Sequence, residues 1–454
     1  MNFGWAIHVH RPYQTAQVYS QTWHNHQQLP AYSYKYRGNL DMSKQVISGF
    51  LLSATLFINP TFAAAQTPTP TRTATPTPTA TPTSTATPTP IATPTPGDPQ
   101  ARANTSQKGS LLKFPYIDVR NEDAGTTTIE ISNDANADVN VNCVYVNERK
   151  DRTDFHFLIT HKGTVTWDVL SGKGEGETGP FNVALFPGGG SFGDPSILNV
   201  GKGELTCFAV DQAGSAQIAW NHLVGTATVS SFHDPDAGQP VQAFTYSAWA
   251  FTARGGVADG TPVGVPGNLQ LTGGGAGTYD ACPAYLIANF SPGGATLGTG
   301  RGDLNYLDNN LAVASCNEDL RQDFRLYLTK LDLLSWNAKQ TEFTGSYICS
   351  DSVREFGLDP GDAPTDLVHP ENFGFSVLGT PDARLQVTGV ASTQCPNSVA
   401  TGLIGILKTS LAIGTGNTGE SVELGENLHG AGLQSGFVLW DPQSAIVPQA
   451  KPRP

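Results

Sequence analysis

Asp154-Phe155-His156-Phe157-Leu158-Ile159-Thr160 returns far along the chain as Asp323-Phe324-Arg325-Leu326-Tyr327-Leu328-Thr329. The correspondence runs without a gap to Thr166-Trp167-Asp168 and Ser335-Trp336-Asn337. Each copy has a cysteine upstream, Cys143 or Cys316, and another closing a Gly-x-x-x-Cys run, Gly203 to Cys207 or Gly345 to Cys349. Nearly every repeated position is apolar, aromatic, Cys or a turn former, so the repeat describes an architecture before it describes a chemistry. Its period is two. Phe155, Phe157 and Ile159 share one face of an extended segment, as do Phe324, Leu326 and Leu328, while the outward residues change. Burying such a face stabilises by roughly 1.5–3 kcal/mol per side chain before entropy, enough to set strand register.

The same alternation places Val139, Val141, Cys143 and Tyr145 opposite Asn140 and Asn142. It predicts further strands at Thr127–Ile131, Glu204–Val210, Ala243–Phe251, Tyr347–Cys349, Arg384–Val390 and Gly436–Trp440. With 49 Gly, 32 Pro and 14% charged residues, the 454-residue chain has the composition of strands and turns. The expected fold is all-β. Two tandem antiparallel β-sandwich modules, immunoglobulin-like or jelly-roll-like, would occupy residues 101–240 and 306–454, joined by a Gly-rich connection over 241–305.

What precedes residue 101 reads differently. Lys44, the apolar run Val46–Ile58, Asn59-Pro60 and the small residues Ala63-Ala64-Ala65 make 42–65 a secretory signal peptide, preceded by an unstructured upstream extension at 1–41. Residues 66–100 form a Thr/Pro-rich linker, disordered and without a core. At about 3.1 Å per residue, its Thr-Pro tract would span roughly 90 Å as a stalk. Export implies a secreted or cell-surface protein, bacterial and extracytoplasmic, without membrane insertion after signal cleavage.

Formal net charge is −13, and cleavage would remove Arg11, Lys35, Arg37 and Lys44 against Asp41 alone. That acidic balance excludes nucleic acid and anionic lipid as partners and leaves an extracellular glycan or protein. Six cysteines in an exported chain predict three disulfides. The repeat pairs Cys143 with Cys207 and Cys316 with Cys349, leaving Cys282 for Cys395.

At these residues a resemblance can be named. The Cys strand, Asp-Phe-x-hydrophobic-x-hydrophobic-Thr, Trp, Gly-x-x-x-Cys and then Tyr279-x-x-Cys282-Pro283 resemble secreted bacterial proteins of unknown function that carry a duplicated Cys/Trp β-sandwich module. The resemblance implies export and that fold, and brings no catalytic residue.

Candidate sites are sparse. Gly189-Gly190-Ser191-Phe192-Gly193 fits a nucleophile elbow only if a helix follows, and its flanks are turn formers. His222 with His233-Asp234-Pro235-Asp236 has zinc-type donors without zinc spacing. Calcium is the one cofactor the chain suggests. Asp134, Asn136 and Asp138 offer oxygens at alternate positions, and Asp359, Asp362 and Asp366 offer a second set; solvated turns explain both equally. Arg301-Gly302-Asp303 reads as an adhesion tripeptide or a turn. Trp167 and Trp336 are core residues or sugar platforms.

No catalytic residue emerges. The reading is a non-catalytic surface or extracellular-matrix protein, structural or binding through duplicated modules. The alternative, motivated by the Thr-Pro linker, is a carbohydrate-active enzyme or its carbohydrate-binding module.

Overall fold

In a computed structural model, the described residues are 101–119, 125–148, 150–174, 201–231, 242–299, 302–321, 327–345, 348–358, 373–413 and 421–442. The upstream extension, signal peptide and linker therefore lie outside them. The described residues form strands β1 (Leu111–Asp118), β2 (Thr126–Asn133), β3 (Val139–Asn147), β4 (Arg152–Ile159), β5 (Thr164–Asp168), β6 (Lys202–Val210), β7 (Leu223–Ser231) and β8 (Gln242–Ser247). Next come β9 (Trp249–Phe251), β10 (Asn268–Leu271), β11 (Tyr285–Phe290), β12 (Thr296–Thr299), β13 (Gly302–Ser315), β14 (Asn317–Asp319), β15 (Thr329–Asn337) and β16 (Glu342–Thr344). Then follow β17 (Ile348–Ser350), β18 (Arg354–Gly357), the four-residue helix α1 (Phe375–Leu378), β19 (Ala383–Val390), β20 (Leu403–Ile413), β21 (Ser421–Asn427), β22 (His429–Ala431) and β23 (Gly436–Leu439).

These strands make five small sheets, organised as a five-bladed β-propeller rather than as two tandem sandwich modules. The sheet orders are β4-β3-β6-β1-β9, β5-β2-β7-β8, β10-β23-β14, β12-β13-β20-β21 with β18 on β13, and β16-β15-β19-β11-β22 with β17 on β15. The blades are not consecutive meanders, since β10 pairs with β23 and β14 joins β23 in parallel. The all-β expectation holds; the tandem-sandwich expectation does not.

Burial explains the difference. A sandwich sheet keeps one face in water and alternates buried with exposed. β1 is instead buried at all eight positions, and β6 at every position after Lys202. One face of their sheet, with Leu112, Phe114, Cys143, Phe155 and Cys207, packs on Ile129, Trp167, Leu223 and Phe244 of the β5-β2-β7-β8 sheet. The opposite face, with Leu111, Val144, Phe208 and Trp249, joins a core with Leu286, Leu331, Leu385 and Trp440 from the C-terminal strands. Residues 241–305, expected to be a connection, carry β8 to β12 and the start of β13.

The repeated segments are not structural equivalents. In the first copy, Asp154–Ile159 lies in β4 and the chain turns back at Lys162, φ 53°, and Gly163 before Trp167 on β5. A side chain at Gly163 would meet the Thr160 carbonyl oxygen at 2.8 Å. The second copy has Leu331 and Asp332 at those two positions, and β15 runs straight from Thr329 to Asn337. Phe324, the expected partner of Phe155, lies outside the described residues.

The disulfides are Cys143–Cys207, Cys282–Cys316 and Cys349–Cys395. The first was expected. The pairings Cys316–Cys349 and Cys282–Cys395 are corrected, because each assumed a repeat symmetry that the strands do not keep. Cys143 and Cys207 are directly opposite on β3 and β6, whereas Cys282 meets the residue between β13 and β14.

Charged groups are largely withdrawn from solvent where the N-terminal sheet meets the C-terminal strands. Glu355 of β18 sits between Lys408, 2.7 Å away, and Lys202, and Lys408 also donates to the Tyr116 hydroxyl at 3.0 Å. Burial works to raise the Glu355 carboxyl, but Lys408 and Lys202 outweigh it and hold the group down at about 2. A carboxyl depressed in this way contributes stability in full above its unfolded value near 4.5 and loses it as pH falls towards 2. Glu355→Gln would leave two ammonium groups poorly compensated, so chemical denaturation at neutral pH should show a loss of about 3–5 kcal/mol. The difference from wild type should shrink as pH falls from about 4.5 towards 2.

Candidate functional site

The outward face of β15, β19 and β11 carries the candidate site. Along β15, Thr329, Leu331, Leu333, Ser335 and Asn337 point inward, which puts Trp336 on the solvent side, half-buried. Arg384 of β19 lies opposite Trp336 on one flank and opposite Asn289 of β11 on the other, while Glu342 of β16 also faces Trp336. Directly opposed residues share a face. The register therefore builds a cross-strand row: Glu342, Trp336, Arg384, Asn289.

The row is ordered by its own contacts. Trp336 Nε1 donates to Glu342 Oε2 at 3.1 Å, and the Arg384 guanidinium carbon lies 5.4 Å from the indole centroid, a cation–π distance. Beside it opens a cleft of about 700 Å³, lined by Trp336, Arg384 and Asn289 of the row and by Gln340, Asp382 and their neighbours, with Glu342 outside it. Its floor is held by Asn337, whose Oδ1 accepts the Lys339 and Thr341 amides at 3.0 and 2.9 Å and whose Nδ2 donates to the Leu378 carbonyl at 2.8 Å. Asn337 is thus spent on the turn, leaving Asn289, Gln340, Asp382 and Arg384 to offer polar atoms to a guest.

This arrangement suits a ring with an apolar face and a hydroxyl rim. The half-buried indole, on the solvent side of β15, supplies flat apolar area, and the surrounding amides, carboxylate and guanidinium supply donors and acceptors. Glycosidic hydrolysis needs two converging carboxyl groups. Asp382 is the sole carboxylate among the described residues lining the cleft.

Trp167, the repeat partner of Trp336, is fully buried. Its ring meets Phe157 and Phe155 edge-on at 5.5 and 6.0 Å, and Nε1 donates to the Tyr145 hydroxyl at 2.8 Å. One tryptophan is core and the other is surface.

The remaining candidates disperse. Asp134 and His222 do come together: His222 Nδ1 is 2.9 Å from Asp134 Oδ1 and Nε2 is 3.0 Å from Asp259 Oδ2, with Lys108 also on Asp134. The Lys108 hydrogen bond, opposed by desolvation and aided by His222, holds the Asp134 carboxyl below its ordinary value. Asp138 turns instead to His161, accepting its backbone amide at 2.7 Å, and Asn136 is exposed. Among the described residues, no group of three or more His, Cys, Asp or Glu is placed to hold a metal ion. Asp359, Asp362, Asp366, Ser191, His233, Asp234, Asp236 and Arg301 lie outside the described residues, while Gly302 and Asp303 lie at the start of β13.

A second pair of acids, Glu204 and Glu318, is missed by sequence reasoning and faces Lys113 in the dry layer between sheets. Burial there, followed by the charge of Glu318, pushes the Glu204 carboxyl up to about 8. A buried carboxyl raised in this way is a feature that active sites also use. Both side chains are buried, at 1% and 7% exposure, and neither lines the cleft, so they cannot meet a substrate.

The chain matches no protein-family model, and comparison with curated proteins gives no significant match. Among the described residues, no helix is long and apolar enough to cross a membrane.

Gln340 holds φ at 63°, a left-handed conformation that costs a side-chain-bearing residue roughly 1–2 kcal/mol. Part of a Gln340→Gly gain is offset by unfolded-state entropy. Thermal unfolding of Gln340→Gly should therefore show a net stabilisation of about 0.5–1 kcal/mol; a loss of stability would mean that the Gln340 side chain holds the cleft together.

Proposed function

We propose that this protein is an exported, non-catalytic binding protein that takes a glycan in the Trp336 cleft. The single observation that supports the reading most is the combination in that cleft of a half-buried, solvent-side tryptophan with one carboxylate rather than two among the described lining residues. Apolar area recognises the CH face of a sugar ring; Asp382, Arg384, Asn289 and Gln340 recognise its hydroxyls. A single acid cannot serve as both proton donor and nucleophile or base, so the enzymatic alternative is the weaker one.

Three disulfides indicate folding in an oxidising, extracellular-type environment. Secretion to a bacterial surface through the 42–65 segment, and display on a Thr-Pro stalk, belong to the proposal. A stalk is useful to a binder because it sets the distance between an anchor and the ligand-bearing surface.

Glycan-array binding run beside a polysaccharide hydrolysis screen tests the reading. The wild-type protein should retain at least one glycan without cleaving any. Trp336→Ala should weaken that retention at least tenfold, about 1.4 kcal/mol, while the unfolding temperature falls only modestly, since this ring lies on the solvent side of β15 and outside the core. Turnover of any glycan, or retention unchanged in Trp336→Ala, would overturn the proposal.

A further inference from the structure

The layer between the N-terminal sheet and the C-terminal strands contains a second device, independent of the cleft. Lys113 of β1 is completely buried and reaches Glu318 of β14, with Nζ 2.6 Å from Oε2 and 3.3 Å from the Ser315 carbonyl. Thr206 of β6 donates to the same Glu318 oxygen at 3.3 Å. Lys113 and Thr206 are register partners, and Glu204 stands two residues before Thr206 on the same face. Neither carboxyl oxygen of Glu204 has a side-chain partner among the described residues, the Val353 backbone being its one weak polar neighbour, and Glu318 Oε1 has no partner among them either.

Charge counting then decides the state of the cluster. One ammonium can balance one carboxylate. Were both acids ionised, a net negative charge would stand in a layer that excludes water, and an uncompensated buried charge is among the most destabilising features a fold can hold. Glu318 has the lysine and the threonine, so it is the ionised member. Glu204 carries the proton.

We propose that Glu204 acts as an alkali-sensitive latch: protonated, it lets the N-terminal sheet and the Glu318 strand close on one another, and its ionisation weakens that contact. The charged groups facing it are Lys113 from β1, Glu318 from β14 and Lys150 from the turn after β3, the last held by Asp351 at 3.4 Å. Lys202, next on the same face of β6, is engaged by Glu355. Lys113 and Lys150 draw the Glu204 carboxyl down, but burial and Glu318 prevail and hold it at about 8.

The sign follows from linkage. An acid whose folded value is raised contributes fully below its unfolded value, near 4.5, and its contribution is lost as pH rises through the folded value. The effect is opposite to that of Glu355. Together the two place maximal stability on the mildly acidic side of neutrality.

The experiment is the pH dependence of unfolding, from pH 5 to 9.5, of the full chain and of Glu204→Gln, an isosteric stand-in for the protonated acid. Between pH 5 and 8 the folding constant of wild type should fall by on the order of 10²–10³ relative to Glu204→Gln. Parallel curves for the two proteins would overturn the latch. Should Glu204→Gln fail to fold, Glu318→Gln provides the second reading: Lys113 would then serve Glu204, and the pH at which the decline levels off should fall by at least one unit. An unmoved decline would overturn the proposal equally.

Discussion

A sheet buried on both faces is the constraint on which the rest of this structure depends. The β4-β3-β6-β1-β9 sheet has no wet side along β1 and β6, so each of its faces must find a partner layer, and only one of those layers can come from neighbouring strands. The other must come from the C-terminal half. That requirement unites the β-rich segments into one hydrophobic assembly and explains why Phe208 meets Trp440, far along the chain, with tilted rings 4.8 Å apart. It also explains where the buried ions are. Lys113 and Lys202 project from that second face and would be stranded unless Glu318 and Glu355 arrived from the other side.

Such ions are poor sources of net stability, because desolvation consumes most of their attraction. Their effect is to penalise misplacement. A slipped register between the layers would leave Lys113 without Glu318, whereas a purely apolar contact tolerates sliding. The same arrangement makes stability pH-dependent from both directions, with Glu355 failing in acid and Glu204 in alkali.

Strand positions were legible from period-two alternation, which one-sided burial leaves directly in β2, β4 and β19. β2, β3, β4, β6, β19 and β23 all lie where alternation put them. Sheet assembly was not legible. The repeat suggested two copies of one module, yet a single local difference, Lys162-Gly163 against Leu331-Asp332, turns a hairpin into a continuous strand and sends Trp167 inward and Trp336 outward. Two of three disulfides were mispaired for the same reason. The candidate cleft was half legible: Trp336 was recognised as a platform candidate, but Arg384 and Asn289 reach it only through cross-strand register, which a one-dimensional pattern does not contain. The outward alternation Arg384, Gln386, Thr388 was the one available sign that this strand presents a polar face.

Shared cores make the central claim a statement about cooperativity. Equilibrium denaturant unfolding with the disulfides intact, followed by tryptophan fluorescence and far-ultraviolet circular dichroism and paired with calorimetry, tests it directly. One transition, coincident by both optical probes and with calorimetric and van't Hoff enthalpies in agreement, is the expected result. Two separable transitions, one for each half of the chain, would contradict it.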